Sequence, residues 1–292
     1  MSFLQYWFMF PVSIAVATTA MLSGIGGAAF FMPVFLIVFP LLGPEYVLAG
    51  PAAAVAVALL TETFGFSSGF VAYVRKRLID FRLVAAFAIF SVPAGIAGSL
   101  LAHATNPVAL QLAYGLLMVV IAYLLIRGHH AREDEACTSD GPAAAGVVER
   151  VASDGRAYRY TRCRPGPLGA VSTGGGGFLA GLLSVGIGEV IMPQLVRAFR
   201  IPVPVAAATS IAIVIVTIAA ASFTHIATLV SAGGLRAVPW ELVAFTIPGV
   251  IIGGQIGPRL HGRMSPRTTE RTIGCAFAAI ALAMFGVVLH AG

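Results

Sequence analysis

Two carboxylates stand where carboxylates are costly. Glu62, in LLTETFGFSSGF, and Glu189, in LLSVGIGEVIMP, lie inside otherwise apolar runs. Placing a carboxylate in mid-span costs about 2.5–3.5 kcal/mol on insertion scales, so Glu62, the clearest buried charge, should face the protein interior. There Glu62 is a candidate proton carrier, or a structural acceptor held by Thr61 or Ser67. Glu189 follows a Gly-rich break and either caps the next helix, takes a proton, or fills the place of an anion. His225, in SFTHIAT, either relays protons near neutral pH or holds helices together.

The breaks themselves carry chemistry. SGIGG (23–27) and SVGIG (184–188) would leave the helix and restart it, exposing free N–H groups and the positive end of a dipole. Ser23, Gly24, Gly26, Gly27, Ser184, Gly186 and Gly188 are therefore candidate ligands for an anion, with Thr209 and Ser210 as further hydroxyls. The competing reading is that the glycines only permit close helix packing. His129 and His130 beside Glu133, Asp134 and Glu135 read as a solvated loop rather than a metal site. No metal or cofactor is expected, and no phosphate-binding loop is present. Met21 and Leu182 stand where an intramembrane serine protease would need Gly, so an enzyme is not expected.

The elements that position these residues follow from composition. Of 292 residues, 58% are hydrophobic and 10% charged, against about 25% charged in a soluble domain. Apolar runs recur at roughly 3–42, 46–74, 82–102, 107–127, 167–199, 203–230, 238–258 and 267–289. Such runs are long enough for a hydrocarbon core of about 30 Å, and their unbroken Ala, Leu, Val and Ile content argues for helices over barrel strands. The expected fold is an all-α polytopic membrane protein with eight long apolar segments. The net charge of +6 lies in short loops, where it sets topology, and does not indicate nucleic acid. Cys137, Cys163 and Cys275 show no paired spacing.

The halves repeat. Met32-Pro33 matches Met192-Pro193, Pro93–Gly98 matches Pro248–Gly253, and Asn106-Pro107 matches Ser265-Pro266. With the second half inverted, the loop arginines fall inside and only Arg236 is left outside. The expected organisation is a first transmembrane repeat over 1–127, a cytoplasmic linker over 128–165 with a β-hairpin at Asp154-Gly155, and a second, inverted repeat over 166–292. A straight helix over 3–39 would be about 55 Å long. Each repeat should therefore open with a broken helix pair, a hairpin or a re-entrant loop. Inverted repeats with broken helices are a recurring transporter design.

SGIGGAAFFMP (23–33), AGLLSVGIGEVIMPQL (180–195) and AAATSIAIVIVT (206–217) followed by SFTHI resemble the sulfite exporter TauE/SafE family of membrane permeases. The resemblance covers nearly the whole chain outside the central loop. It implies secondary transport of sulfite or an organosulfonate across a bacterial cytoplasmic membrane, the lipid bilayer and a small anion being the partners, with homodimerisation left open. The sequence departs from the family's Gly-x-Gly-Gly-Gly tips: Ala28 ends the first run and Glu189 interrupts the second. The alternative is a cation- or proton-coupled carrier of another solute that uses Glu62 and Glu189 directly.

Overall fold

The computed structural model describes residues 3–23, 26–127, 144–260 and 266–291. The chain is mostly helical. In the first half, α1 (Met9–Ser23) is followed by α2 (Ala28–Pro33), a π-helical stretch (Val34–Val38), α3 (Phe39–Leu42), α4 (Pro51–Arg75), α5 (Phe81–Ala104) and α6 (Pro107–Arg127). A two-stranded antiparallel hairpin comes next, β1 (Ala144–Val151) and β2 (Ala157–Cys163). The second half holds α7 (Pro167–Leu183), α8 (Ile187–Pro193), another π stretch (Gln194–Ala198), α9 (Val203–Gly233), α10 (Trp240–Leu260) and α11 (Pro266–Ala291).

Among the described residues, five helices are long and apolar enough to cross a membrane: Pro51–Arg75, Phe81–Ala104, Pro107–Leu124, Val203–Gly233 and Trp240–Gly257. Shorter apolar helices cover Met9–Met21, Ala28–Leu42, Ile187–Val196 and Gly274–Gly286. Side chains such as Ile89, Phe223 and Leu282 are exposed on the outside of this bundle. Local sequence sets the ends. Asn106 Oδ1 accepts from Val108 N at 2.9 Å and starts α6 ahead of Pro107. Asp80 caps α5 by accepting from Arg82 N and Leu83 N. α1 ends at Ser23 and α7 ends beside Ser184, which has a left-handed φ of 61°.

Helix pairing follows the glycines. α5 packs on α7, and α1 packs on α10. In lipid nothing hydrophobic drives helices together, so close van der Waals contact between small residues does. Gly98 and Gly95 of α5 meet the backbone of Phe178 and Gly177, and Gly181 meets Gly95 O. On the other side Gly249 lies against Phe10 O and Ser13, and Gly253 against Ile14 O. Hydroxyl pairs join the next layer: Thr61 to Thr246 at 2.9 Å between α4 and α10, and Ser91 to Thr217 at 2.7 Å between α5 and α9. α4 packs on α9 and α6 on α11.

The glycines of α7 allow a contrast inside one helix. A Cβ on Gly181 would overlap Gly95 O, whereas one on Gly175 would meet nothing within 4 Å. Gly181→Ala should therefore destabilise by about 1–3 kcal/mol, the usual cost of overpacking. Gly175→Ala should stabilise by up to about 1 kcal/mol through helix propensity. Thermal unfolding of the two variants in detergent measures both; equal shifts would remove the packing argument.

The hairpin meets the bundle at a buried ion pair, and Ser153 N donates to Lys76 O at 3.2 Å. Arg162 forks onto Asp80, its Nη2 lying 2.8 Å from Oδ2 and its Nε 3.0 Å away. Tyr160 O–H donates to the same oxygen at 2.7 Å, and Asp80 N donates to Thr209 Oγ1 at 3.1 Å. Burial pushes the Asp80 carboxyl up, but the Tyr160 hydroxyl and the Arg162 guanidinium outweigh it and hold the group below its ordinary value. Burial and the adjoining carboxylate push the Tyr160 hydroxyl up to about 12. Cys163, at the end of β2, is disulfide-bonded, which the cysteine spacing did not announce.

Candidate functional site

Glu62 sits in the middle of α4 and is 4% exposed. Its carboxylate faces the backbone N–H groups of Gly27 and Ala28, where α2 begins. Thr61 is turned away to Thr246, so it does not hold the carboxylate. Glu189 lies in the first turn of α8, and its Oε2 accepts from Gly186 N at 3.1 Å. That is half of a capping box: a residue in the first turn reaching back to the N–H that precedes the helix. Glu189 also faces the N–H of Gly26. The two carboxylates, one from each half, therefore hold neighbouring amides of the same short segment, Gly26–Ala28.

Their second oxygens have no partner. Glu62 Oε1 and Glu189 Oε1 are both buried and unbonded. A Cβ on Gly26 would lie 3.0 Å from the first and 3.9 Å from the second, so the two oxygens are within about 7 Å of each other. At that distance and an effective dielectric of about 20, two unit charges repel by about 2 kcal/mol. A proton on either one removes that cost, as would a cation between them. A small cleft opens beside Glu62, lined otherwise by apolar groups that include Met21, Phe31, Phe66 and Val250. Tyr114 of α6 is fully buried and donates to Ala29 O, at the start of α2, at 2.7 Å.

The other residues singled out from the sequence fall in several places. Gly26, Gly27, Gly186 and Gly188 are at the two breaks with the carboxylates, and Gly186 has a φ of 126° that L side chains rarely adopt. Gly24 lies outside the described residues, as do His129, His130, Glu133, Asp134 and Glu135; Ser23 closes α1. Ser184 is buried with its hydroxyl donating to Leu183 O at 2.6 Å. Thr209 is engaged with Asp80 near the hairpin, and Ser210 donates to Ala207 O. His225 is fully buried against His103 and Gly181. Sequence reasoning passed over Tyr114, His103 and the Asp80–Tyr160–Arg162 cluster, since none of them interrupts an apolar run.

A bundle of apolar helices with two interrupted helices and an interior carboxylate from each half is the build of a membrane transporter. The sulfite exporter TauE/SafE family matches residues 9–284, and the chain belongs to it. It is also similar to a protein of Bacillus subtilis (strain 168) described as "Probable membrane transporter protein YunE", with 25% identity over 259 residues, covering 88% of this chain and 89% of that one. No solved structure matches. The protein is thus a multi-pass membrane protein of a transporter family.

Proposed function

We propose that the protein is a secondary transporter of sulfite or a small organosulfonate, working by alternating access in a bacterial cytoplasmic membrane, with protons carried on Glu62 and Glu189. The observation that carries this is the meeting of Glu62, from the first half, and Glu189, from the second, on the amides of Gly26–Ala28. Amides at a helix start suit an anion, and here the protein's own carboxylates face them. Protonating a carboxylate weakens its hold on those N–H groups and frees them for a sulfonate or sulfite oxygen. Proton uptake and anion binding are then one exchange.

Two inverted repeats, 1–127 and 166–292, joined by a cytoplasmic linker, complete the reading. The pairings support it: α1 on α10 answers α7 on α5, α4 on α10 answers α9 on α5, and α6 meets α11. Alternating access would move one broken pair against the other. The substrate-contacting set is then the tips, Gly26, Gly27, Gly186 and Gly188 with Ser23 and Ser184, while Thr209 belongs to the anchoring of the hairpin.

The test is a thermal-shift screen of purified protein with sulfite, sulfoacetate, taurine, thiosulfate and sulfate at two pH values. A ligand at a hundredfold excess over its dissociation constant stabilises the folded state by about 2.7 kcal/mol. Stabilisation by sulfite or a sulfonate, larger at the lower pH, is expected. The two unbonded Oε1 atoms favour one other reading, a monovalent cation held between the carboxylates. A response to cations with none to any anion would select it and set aside the anion reading.

A further inference from the structure

Away from the carboxylates, two histidines meet between helices. His103 Nε2 lies 3.0 Å from His225 Nδ1, and His225 Nε2 lies 2.7 Å from Gly181 O. A carbonyl oxygen only accepts, so His225 Nε2 carries a proton. In the neutral ring Nδ1 is then the acceptor, and His103 Nε2 must be the donor. The tautomers of both rings are fixed by this chain, which runs from α5 through α9 to α7. The remaining acceptor of the pair, outside this chain of bonds, is His103 Nδ1, on a partly exposed ring near the end of α5 farthest from the hairpin; His225 is fully buried.

The far end of the chain suits a positive charge. Gly181 is in the last turn of α7, where carbonyls have no partner within the helix. The Ala180 carbonyl is taken by Ser184 N, and the Gly181 carbonyl by His225. The C-terminal end of a helix favours a cation, by up to about 2 kcal/mol when partly buried. Gly181 of α7 meets the His225 ring, and Ser99 of α5 bonds Ala221 O one turn earlier on α9; neither is titratable. Among the described residues no carboxylate, lysine or arginine bears on either ring, and the titratable neighbour of His225 is His103.

We propose that His103 and His225 form one proton-binding site on the end of α7. It takes a single proton from water at His103 Nδ1 and shares the charge across the Nε2–Nδ1 contact. The added charge shortens and strengthens that hydrogen bond without changing its direction. A second proton would set N–H against N–H, so uptake stops at one and the two rings titrate as a unit. The site acts on the arm that leads through Ser184 and Gly186 to Glu189, because it ties α5 and α9 to that arm's last turn. This consequence rests on the transport reading above; the binding itself does not.

The experiment is ring-nitrogen NMR on the full chain labelled with ¹⁵N-histidine, in detergent, from pH about 8 to about 5, the range in which histidine titrates. Signals are assigned with His103→Gln and His225→Gln. The expected spectrum has both rings as Nε2–H tautomers at high pH and moving together in one step that binds one proton. In His103→Gln, whose amide still donates to Nδ1, His225 should stay neutral through the range. Two independent steps in the parent, an Nδ1–H tautomer at His225, or undiminished protonation of His225 in His103→Gln would overturn the proposal. Sulfite flux into proteoliposomes, read against pH in the same variant, separates the two readings: no flux in the parent rejects the substrate assignment and leaves the NMR result standing.

Discussion

Glu62→Gln should yield a protein that is more heat-stable than the parent and that moves sulfite at least tenfold more slowly. Both effects come from one atom. Glu62 Oε1 is buried without a partner and faces the same spot as Glu189 Oε1. A glutamine keeps an oxygen for the amides of Gly27 and Ala28 and turns an amino group toward the unbonded oxygen of Glu189. Removing one of two like charges that lie within about 7 Å of each other should gain about 2 kcal/mol. The same neutral group cannot give up a proton, so the proton–anion exchange proposed for the tip would stop. A tenfold loss corresponds to about 1.4 kcal/mol of barrier. Unfolding midpoints and sulfite uptake in proteoliposomes read the two effects separately. Unchanged uptake with an unchanged pH profile would end the coupling role of Glu62.

Arg162→Ala should have the largest effect on stability. It leaves the Asp80 carboxylate buried with its bidentate partner gone, and breaking such a pair costs about 3–5 kcal/mol. Adding Asp80→Asn should recover much of that loss, because asparagine caps a helix as well as aspartate does and needs no counter-charge. The pH dependence differs in sign between the two proteins. In the parent the folded-state value of Asp80 is depressed, so its stabilisation is complete above the unfolded value of about 4 and is lost as pH falls through the lower folded value. In Arg162→Ala the penalty is the charge itself, and acid relieves it. Urea or heat midpoints at pH 4 and pH 7 measure this; a double variant no more stable than Arg162→Ala would show that the ion pair is not what Arg162 supplies.

The two cases also mark what can be read from a sequence of this kind. Glu62 and Glu189 were legible because a charge inside an apolar run has few acceptable positions. The breaks at Ser23 and Ser184 were legible because one helix over 3–39 is too long for a bilayer and glycine marks the exit. The unbonded oxygens were not, since they depend on Gly26–Ala28 reaching across to both halves. Asp80, Tyr160 and Arg162 sit in polar segments where every residue type is ordinary, and the pairing spans 82 positions in the chain. His103 looked like one more polar residue at the end of a span. Thr209 and Ser210 stood out in AAATSIAIVIVT, yet their hydroxyls are spent on Asp80 and on the helix backbone.

Pro33 and Pro193 are each followed by a five-residue π-helical stretch, Val34–Val38 and Gln194–Ala198. A proline takes a donor out of the ladder, and a π turn takes in one residue more than an α turn does. Each short arm thus carries a spare residue behind its tip. Giving that residue up would turn everything ahead of it by about 100° about the helix axis, the angle of one α-helical residue, while the far end of the arm stayed seated. The tips hold Gly26–Ala28 and Gly186–Glu189, so such a turn would swing both sets of amides away from where they now point. The arms have a swivel built into their length, one in each half.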